Sequence, residues 1–210
     1  MKTIVFVSRH SEPLRHWLSE YNADDNEQLR NEKNILSVKG EEKAKLMSEK
    51  EELKNIDVLY CSHYVRTMAT AKYIAENNNI NLNIDERLGE RKFGVDDWSE
   101  MPEDFFERQF RDWDYKLKNG ESLNEVKARM CEVFSEIINN NKGKNIAIIS
   151  HGTALTCYLK NYCDIKFNEE KKLIEIYFNN KQVLDGNWGA PELFKLIFED
   201  NDLIEIENIK

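Results

Sequence analysis

The sequence predicts an α/β protein, a three-layer sandwich with a mostly parallel central sheet, helices on both faces and a C-terminal antiparallel hairpin. Three short apolar runs, at residues 3–8, 56–61 and 145–150, are bounded by turn residues, as the buried strands of a parallel sheet usually are. Helix-forming segments separate these runs, which is the alternation typical of this fold class. Because a chain of 210 residues without a Pro- or Gly-rich linker favours one folding unit, we expect a single domain, 1–210.

The segments between the predicted strands carry helix signals. Ser37 is a plausible N-cap for a helix over 37–53, in which Gly40 is an early weak position because glycine disfavours helix. Ser62, directly after the second apolar run, is predicted to cap another helix. Apolar residues recur at helical spacing over 123–138 and predict an amphipathic helix.

The stretch from 87 to 119 and the C-terminal tail complete the predicted architecture. Periodicity is poor between 87 and 119, where aromatic and charged residues alternate. We expect this stretch to be a cap or insertion that forms a lid or a wall of the substrate cleft. The alternative is a surface segment that packs on the domain without lining the cleft. The tail predicts strands at 173–178, 193–198 and 203–206, and a turn at 199–202 joins the last two into the hairpin.

Composition narrows the class of protein. A formal net charge of -9 disfavours nonspecific binding to nucleic acid or to an anionic membrane, so an anionic ligand would need a local positive site. No apolar run is long enough to span a bilayer, and the first run stops at Arg9-His10 without a cleavage site, so we interpret it as a strand rather than a leader. Four scattered cysteines without a CxxC pair indicate a reducing, cytoplasmic location.

The ends of the three predicted strands carry the strongest chemical signal. Arg9-His10 follows the first strand, His151-Gly152 follows the third, and Arg66 lies in the first turns of the helix after the second. A lone histidine after a strand is usually an ordinary hydrogen-bonded residue, but the carboxyl ends of parallel strands meet at one cleft, so two histidines there favour catalysis. Guanidinium groups and free amides at a helix N-terminus bind anions, and these residues, with the amides near Gly152 and Thr153, are predicted to hold a phosphoryl group.

Six motifs in the right order resemble the histidine phosphatase superfamily, the phosphoglycerate mutase-like group, whose signature begins with Arg-His-Gly. Any one motif alone is weak, but six in order across most of the chain are a strong signal. They are Arg9-His10, Leu36-Ser37-Val38-Lys39-Gly40 with Ala44, Ser62-x-x-x-Arg66-x-x-x-Thr70-Ala71, Leu88-Gly89-Glu90 with Gly94, Gly120-Glu121-Ser122, and Ile149-Ser150-His151-Gly152.

The resemblance implies a metal-independent phosphomonoesterase without a cofactor that acts on a small phosphorylated metabolite. His10 would be the nucleophile that becomes phosphorylated, and Arg9, Arg66 and His151 would bind and stabilise the transferring group. Glu90 would be the general acid. A neutral imidazole can attack phosphorus in line, and the carboxylate can then activate water against the covalent intermediate. The acid is the open assignment, since four other carboxylates are available: Glu12, Glu86, Asp96 and Asp97.

Departures from the family pattern concern the phosphate pocket. Ser11 replaces the usual glycine of the first motif, which narrows the pocket and is acceptable where the backbone needs no positive φ. Many relatives then carry a Trp-Asn pair whose Asn helps to hold phosphate, and here Arg15 or His16 is expected to replace that contact. Ser62 is expected either to contact the phosphate or only to cap its helix. The stretch 94–100 is longer than its family counterpart, so the family pattern does not predict the structure of the cleft wall at this point.

Two other enzyme classes compete with this interpretation. Phosphoglycerate mutase-type transfer would need extra cations for the substrate carboxylate, which the insertion could supply from Arg108, Arg111, Lys116 and Lys118. A metallohydrolase could use the two histidines with carboxylates, but Arg9 and Arg66 would then place positive charge beside the metal.

A non-catalytic alternative is a phosphate-ligand sensor or protein-interaction module, with Trp98 and Trp113 in its contact surface. The presence of every expected catalytic residue type argues against it. The leaving group of the substrate is open at this point, because fold-level analogy does not identify it, and no oligomeric state is predicted.

Overall fold

The computed structural model describes residues 1–14, 25–186 and 188–210. Its strands are β1 (Lys2–Arg9), β2 (Val58–Cys61), β3 (Leu82–Ile84), β4 (Asn145–Ser150), β5 (Asp164–Asn168), β6 (Leu173–Phe178), β7 (Lys181–Leu184), β8 (Glu192–Glu199) and β9 (Asp202–Ile209). Its helices are α1 (Glu27–Lys33), α2 (Val38–Ser48), α3 (Val65–Asn78), α4 (Phe105–Arg111), α5 (Leu123–Asn140) and α6 (Gly152–Leu159). Within the described ranges, no helix combines the length and the apolar character that crossing a membrane requires.

The central sheet confirms the predicted fold class. Its strand order is β3-β2-β4-β1-β8-β9, in which β1 to β4 run parallel and the β8–β9 hairpin is antiparallel. Arg9 pairs with Ser150 and Cys61 pairs with Ile149, so three parallel strands end side by side. The residues that follow these strands therefore meet at one edge of the sheet.

Alternation of side chains along β1 divides the core into two clusters, one on each face of the sheet. Val5 and Val7 belong to the cluster with α5 and α6, where the rings of Phe134 and Tyr158 stack with centroids 3.7 Å apart. Phe6 belongs to the other cluster, with α2 and α3. Since each fully buried large apolar side chain stabilises the fold by about 1.5–3 kcal/mol, both helical layers are held firmly on the sheet.

Helix α2 begins as predicted but ends earlier. The Ser37 side chain accepts a hydrogen bond from the Gly40 amide, which confirms the N-cap, and the helix stops at Ser48, followed by a separate short turn at Glu51–Leu53. Gly40 is more than a weak position, because a Cβ there would lie 2.1 Å from the Glu12 carbonyl oxygen. The glycine lets α2 approach the backbone that follows the first motif.

The prediction that Ser62 caps the next helix is wrong. Helix α3 begins at Val65, and Tyr64 is its N-cap residue without a side-chain cap bond. The Ser62 hydroxyl is occupied elsewhere, since it bonds to the side chains of Thr67 and His151. Its hydrogen bonds to Thr67 and His151 thus take the place of a helix cap.

The strand predicted at 173–178 is present, but it lies outside the central sheet. It is β6, the middle strand of a separate antiparallel sheet with order β5-β6-β7. Strands β5 and β7 were not predicted, because both are short and carry exposed polar residues, at alternate positions in β5 and side by side in β7.

The stretch 87–119 contains α4 and an aromatic cluster formed by the rings of Phe93, Trp98, Phe105 and Phe106. Arg91 anchors it from inside: its guanidinium is fully buried, lies over the Phe105 ring and donates to the carbonyls of Glu121 and Tyr115 and to the Gln109 side chain. Burial lowers the pKa of Arg91. The segment is therefore packed onto the domain around a buried cation.

Candidate active site

The structure brings the two strand-end histidines together. His10 follows β1 and His151 follows β4, and their ring centroids are 5.2 Å apart in an edge-on arrangement. Both side chains are buried. The register between β1 and β4 produces this pairing, because the last residues of the two strands are direct neighbours.

His10 is arranged as a neutral imidazole with one free ring nitrogen. Its Nδ1 lies 2.7 Å from the Ser11 carbonyl oxygen and donates to it, so Nε2 carries the lone pair. Burial, with the charges of Arg66 and Arg9, lowers the pKa of His10 well below its ordinary value. An unprotonated imidazole is the form that can attack phosphorus.

His151 is fixed by two hydrogen bonds. Its Nε2 lies 2.8 Å from the Ser62 hydroxyl and its Nδ1 lies 3.2 Å from Nη2 of Arg66. Because the guanidinium is donor-only, it donates to Nδ1, and Nε2–H donates to Ser62. Burial and the Arg66 charge lower the pKa of His151 well below its ordinary value.

The two arginines are held by backbone carbonyls. Arg66 donates to the Asn31 carbonyl and lies over the Tyr64 ring, 4.7 Å from its centroid, and burial lowers its pKa to about 10. Arg9 donates from Nη1 to the Trp188 carbonyl at 2.6 Å, and burial lowers its pKa as well. Each guanidinium keeps further N–H donors, which can serve a phosphoryl group.

Ser11 is buried with its hydroxyl turned toward α2. Its Oγ donates to the Gly40 carbonyl at 2.6 Å, and its amide donates to Thr70 Oγ1 at 2.9 Å. The residue does not have a positive φ, so serine is accepted here without backbone strain. These contacts tie the first motif to α2 and α3.

Glu90 sits at the N-terminus of α6. Its Oε1 accepts from the amides of Arg91 and Ala154 at 2.9 and 3.1 Å, and its Oε2 accepts from the Thr153 amide at 3.4 Å. The amide of Thr153, expected to bind phosphate, thus points to this carboxylate. The other candidate acids are placed differently: Glu12, for example, pairs with Lys43 at 2.7 Å.

Arg129 holds the segment that carries Glu90, a contact that the sequence analysis missed. It lies on α5 and donates to the carbonyls of Arg87, Gly89 and Glu90 at 2.7, 2.9 and 3.2 Å. It also forms two hydrogen bonds with the Glu121 carboxylate, 2.8 and 3.0 Å long. Although burial opposes ionisation, these contacts hold the pKa of Glu121 below its usual range.

A cleft of about 410 Å³ opens beside Arg9 and Glu90. Its lining includes Gly152 and Thr153 at the start of α6, two phenylalanines of α4, Lys172, the first two residues of β6 in the separate small sheet β5-β6-β7, and Trp188. Helix α4, within the stretch 87–119, therefore supplies part of the cleft wall.

The two expected substitutes for the family's phosphate-holding Asn, Arg15 and His16, lie outside the described residues. In the part of the chain that is described, no group of three or more His, Cys, Asp or Glu side chains is placed to hold a metal ion.

Trp188 is a second residue that the sequence analysis missed. Its carbonyl orients Arg9, its indole N–H donates to Thr156 Oγ1 at 3.0 Å, and its ring would lie 3.4 Å from a Cβ at Gly152. Sequence patterning offered no signal for it, because it lies in a loop. Arg129 did offer one, since it is spaced three residues after Val126 on the buried stripe of α5.

The chain is similar in sequence to a known protein family and to several of its members. The model of the histidine phosphatase superfamily (branch 1) matches residues 13–180, which include Arg66, Glu90 and His151. A protein named probable phosphoglycerate mutase GpmB from Serratia proteamaculans (strain 568) is 29% identical over 169 residues, 76% of this chain and 77% of that protein. Phosphoserine phosphatase 1 from Hydrogenobacter thermophilus is 31% identical over 127 residues, 55% of this chain and 58% of that protein.

Solved structures share the fold. A mycobacterial glucosyl-3-phosphoglycerate phosphatase superposes with a TM-score of 0.69 at 16% identity, covering 99% of this chain and 97% of that chain. Bacillus stearothermophilus YhfR superposes with a TM-score of 0.65 at 20% identity, covering 96% and 94%.

Proposed function

Because this chain belongs to the histidine phosphatase superfamily, we propose that it is a metal-independent phosphomonoesterase that works through a phosphohistidine on His10. The observation that carries the proposal is the buried, neutral His10, whose Nδ1 is held by the Ser11 carbonyl and whose Nε2 is left as the nucleophile. Its substrate is a small phosphorylated molecule.

The arginines and the second histidine have roles that follow from their donors. In the first step Nε2 of His10 forms a bond to phosphorus while the bond from phosphorus to the ester oxygen breaks. Negative charge then spreads over the three equatorial oxygens. Arg9 and Arg66, with N–H groups not used by backbone carbonyls, stabilise that charge, and His151, bonded through Nδ1 to Arg66 and through Nε2 to Ser62, orients the Arg66 guanidinium.

Glu90 handles the proton in both steps. The leaving oxygen takes a proton from the Glu90 carboxyl, and the alcohol departs. A water then attacks the phosphohistidine and gives its proton back to the carboxylate, which frees inorganic phosphate and the imidazole. The backbone amides that bond to Glu90 hold its carboxyl group at the start of α6.

The deciding experiment traps the phosphoenzyme. We expect the purified protein, incubated with a phosphomonoester in the presence of chelator, to release phosphate and to yield an acid-labile, base-stable phosphoenzyme. His10→Asn is expected to abolish both. The matched control is His63→Asn, a half-buried histidine whose Nε2 lies 3.4 Å from Glu32. Loss of activity in chelator, or full turnover by His10→Asn, would refute the mechanism.

A separate measurement tests the assignment of Glu90. Glu90→Gln removes the proton donor, so the rate loss is expected to be larger for an alkyl phosphate than for an aryl phosphate with a good leaving group, by about tenfold or more. Glu12→Gln, a carboxylate bound to Lys43, serves as the control. An equal loss for both substrates would remove Glu90 as the acid.

Phosphoglycerate mutase-type transfer is tested in the same preparation. A mutase primed with bisphosphoglycerate would move the phosphoryl group between substrate positions and release little phosphate. We expect phosphate release to dominate, because water is the acceptor in the proposed second step.

A further inference from the structure

The cleft beside Arg9 and Glu90 is walled by apolar side chains from three separate parts of the chain. Helix α4 contributes Phe106 and Phe110, β6 contributes Leu173 and Ile174, and the loop before β8 contributes Trp188. A substrate whose phosphoryl group lies against Arg9 would place its alcohol portion among these side chains. The inference drawn from this arrangement rests on the proposed function.

The walls are held in position before any ligand binds. The Trp188 indole is tied to Thr156 by its N–H and packs against Phe194, with ring centroids 5.1 Å apart. The Phe110 ring stacks on Phe167 of the small sheet at an angle of 17°. A wall that is already ordered loses little entropy when it binds an apolar group.

The cation at the rim of this cleft is already paired. Lys172 Nζ lies 2.8 Å from the Glu107 carboxylate and 3.9 Å from that of Glu169. Arg111, a neighbouring cation, binds Glu169 and lies 3.3 Å from Glu107. Among the described residues that line the cleft, Arg9 and Lys172 are the cations, and Arg9 is assigned to the phosphoryl group. At the described part of the rim, a second anionic group on the substrate would compete with these carboxylates for Lys172.

We propose that the leaving group is an uncharged alcohol with an apolar, preferably aromatic face, and not a hydroxy acid. Burial of one such face against the walls is expected to raise kcat/KM about 10- to 100-fold over an alcohol of similar basicity without it. Phosphorylated hydroxy acids gain nothing from the apolar walls, and they meet the paired carboxylates at the rim.

Three alkyl phosphates test the preference because their leaving groups are all alcohols: benzyl phosphate, glycerol 1-phosphate and 3-phosphoglycerate. We expect kcat/KM to be highest for benzyl phosphate. Phe106→Ser is expected to reduce that advantage at least about fivefold, since Phe106 lines the cleft. Because Phe106 is 45% exposed, we expect its replacement to leave the fold intact.

The matched control is Trp98→Ser. Trp98 is 46% exposed and belongs to the same aromatic cluster, where its ring centroid lies 6.2 Å from that of Phe106, but it does not line the cleft. It is expected to keep the preference. An equal effect of the two variants would assign the role of Phe106 to packing of the insertion and overturn its place in the binding wall.

Binding without turnover separates this inference from the proposed function. Benzylphosphonate is expected to bind the wild-type protein at least about tenfold more tightly than 3-phosphonopropionate, measured by calorimetry. Absence of a phosphoenzyme together with this preference would refute the proposed function and leave the cleft assignment standing. Preference for 3-phosphonopropionate, lost in Lys172→Met, would overturn the cleft assignment and identify Lys172 as a carboxylate site.

Discussion

Replacement of Arg129 by methionine tests whether this residue holds the acid-bearing segment in place. The guanidinium makes five hydrogen bonds, three to carbonyls of residues 87, 89 and 90 and two to Glu121, and both partners of the ion pair are about four-fifths buried. Methionine keeps much of the apolar volume and removes every donor. The carbonyls and the Glu121 carboxylate would then be left with poor access to water.

The expected loss of stability follows from these contacts. At about 1 kcal/mol for each hydrogen bond, and with partial replacement by water, the free energy of unfolding is expected to fall by about 3–5 kcal/mol, as for other largely buried ion pairs that lose one partner. For a domain of this size that corresponds to a drop of roughly 6–20 °C in melting temperature. Calorimetry or a urea titration measures it.

Arg87→Met is the matched control for Arg129→Met. Arg87 also reaches α5, where its partners Glu132 and Glu136 are more than half exposed, and such exposed ion pairs contribute about 1 kcal/mol or less. Its third partner, Asp85, is less exposed but lies two residues away in the same segment, so Arg87 does not tie Glu90 to α5. A displaced Glu90 should also slow alkyl phosphates more than aryl phosphates. Equal melting temperatures for the two variants would refute the positioning role of Arg129.

Three further predictions concern the two histidines and the backbone around them. Gly40→Ala would stabilise an ordinary helix by up to about 1 kcal/mol. Here it is expected to destabilise the protein and lower kcat, because the new Cβ would lie 2.1 Å from the Glu12 carbonyl oxygen. A urea titration that finds the variant stabilised would contradict this prediction. Ser62→Ala leaves the His151 Nε2–H without its acceptor and is expected to lower kcat about tenfold. An unchanged kcat in a steady-state assay would contradict a role for the Ser62–His151 hydrogen bond in catalysis. The third prediction concerns pH, because the pKa values of His10 and His151 are lower in the folded protein than in the unfolded chain. On acidification the unfolded state therefore binds protons first. The free energy of unfolding should fall by about 1.4 kcal/mol per histidine for each pH unit below roughly 6.5.

The pH prediction has its own control. His10→Asn removes the contribution of one histidine, so urea titrations at about pH 7 and about pH 5 should show a shallower pH dependence in the variant than in the wild type. Identical slopes would mean that His10 is not buried as a neutral imidazole.

The sequence by itself determined the fold class and the edge of the sheet at which the site would form. Apolar runs between helical segments predict parallel strands, and the residues after those strands must then meet, because parallel strands end on the same side. Arg9, His10 and His151 were placed by that local pattern alone, and the six motifs led from there to the family. The C-terminal hairpin was also predicted from the sequence, because a polar turn separates two apolar runs.

Only the tertiary structure decided what the individual side chains bind. The Ser62 hydroxyl could cap a helix or meet a histidine across the sheet, and the contact with His151 came from a neighbouring strand that is distant in sequence. Arg129 likewise bonds to residues 87–90, and Trp188 lines the cleft beside α4 and α6. Local sequence patterns do not predict either contact, because the segments are far apart in the chain. Periodicity and caps report on a residue's own element, whereas these contacts depend on how elements far apart in the chain pack together.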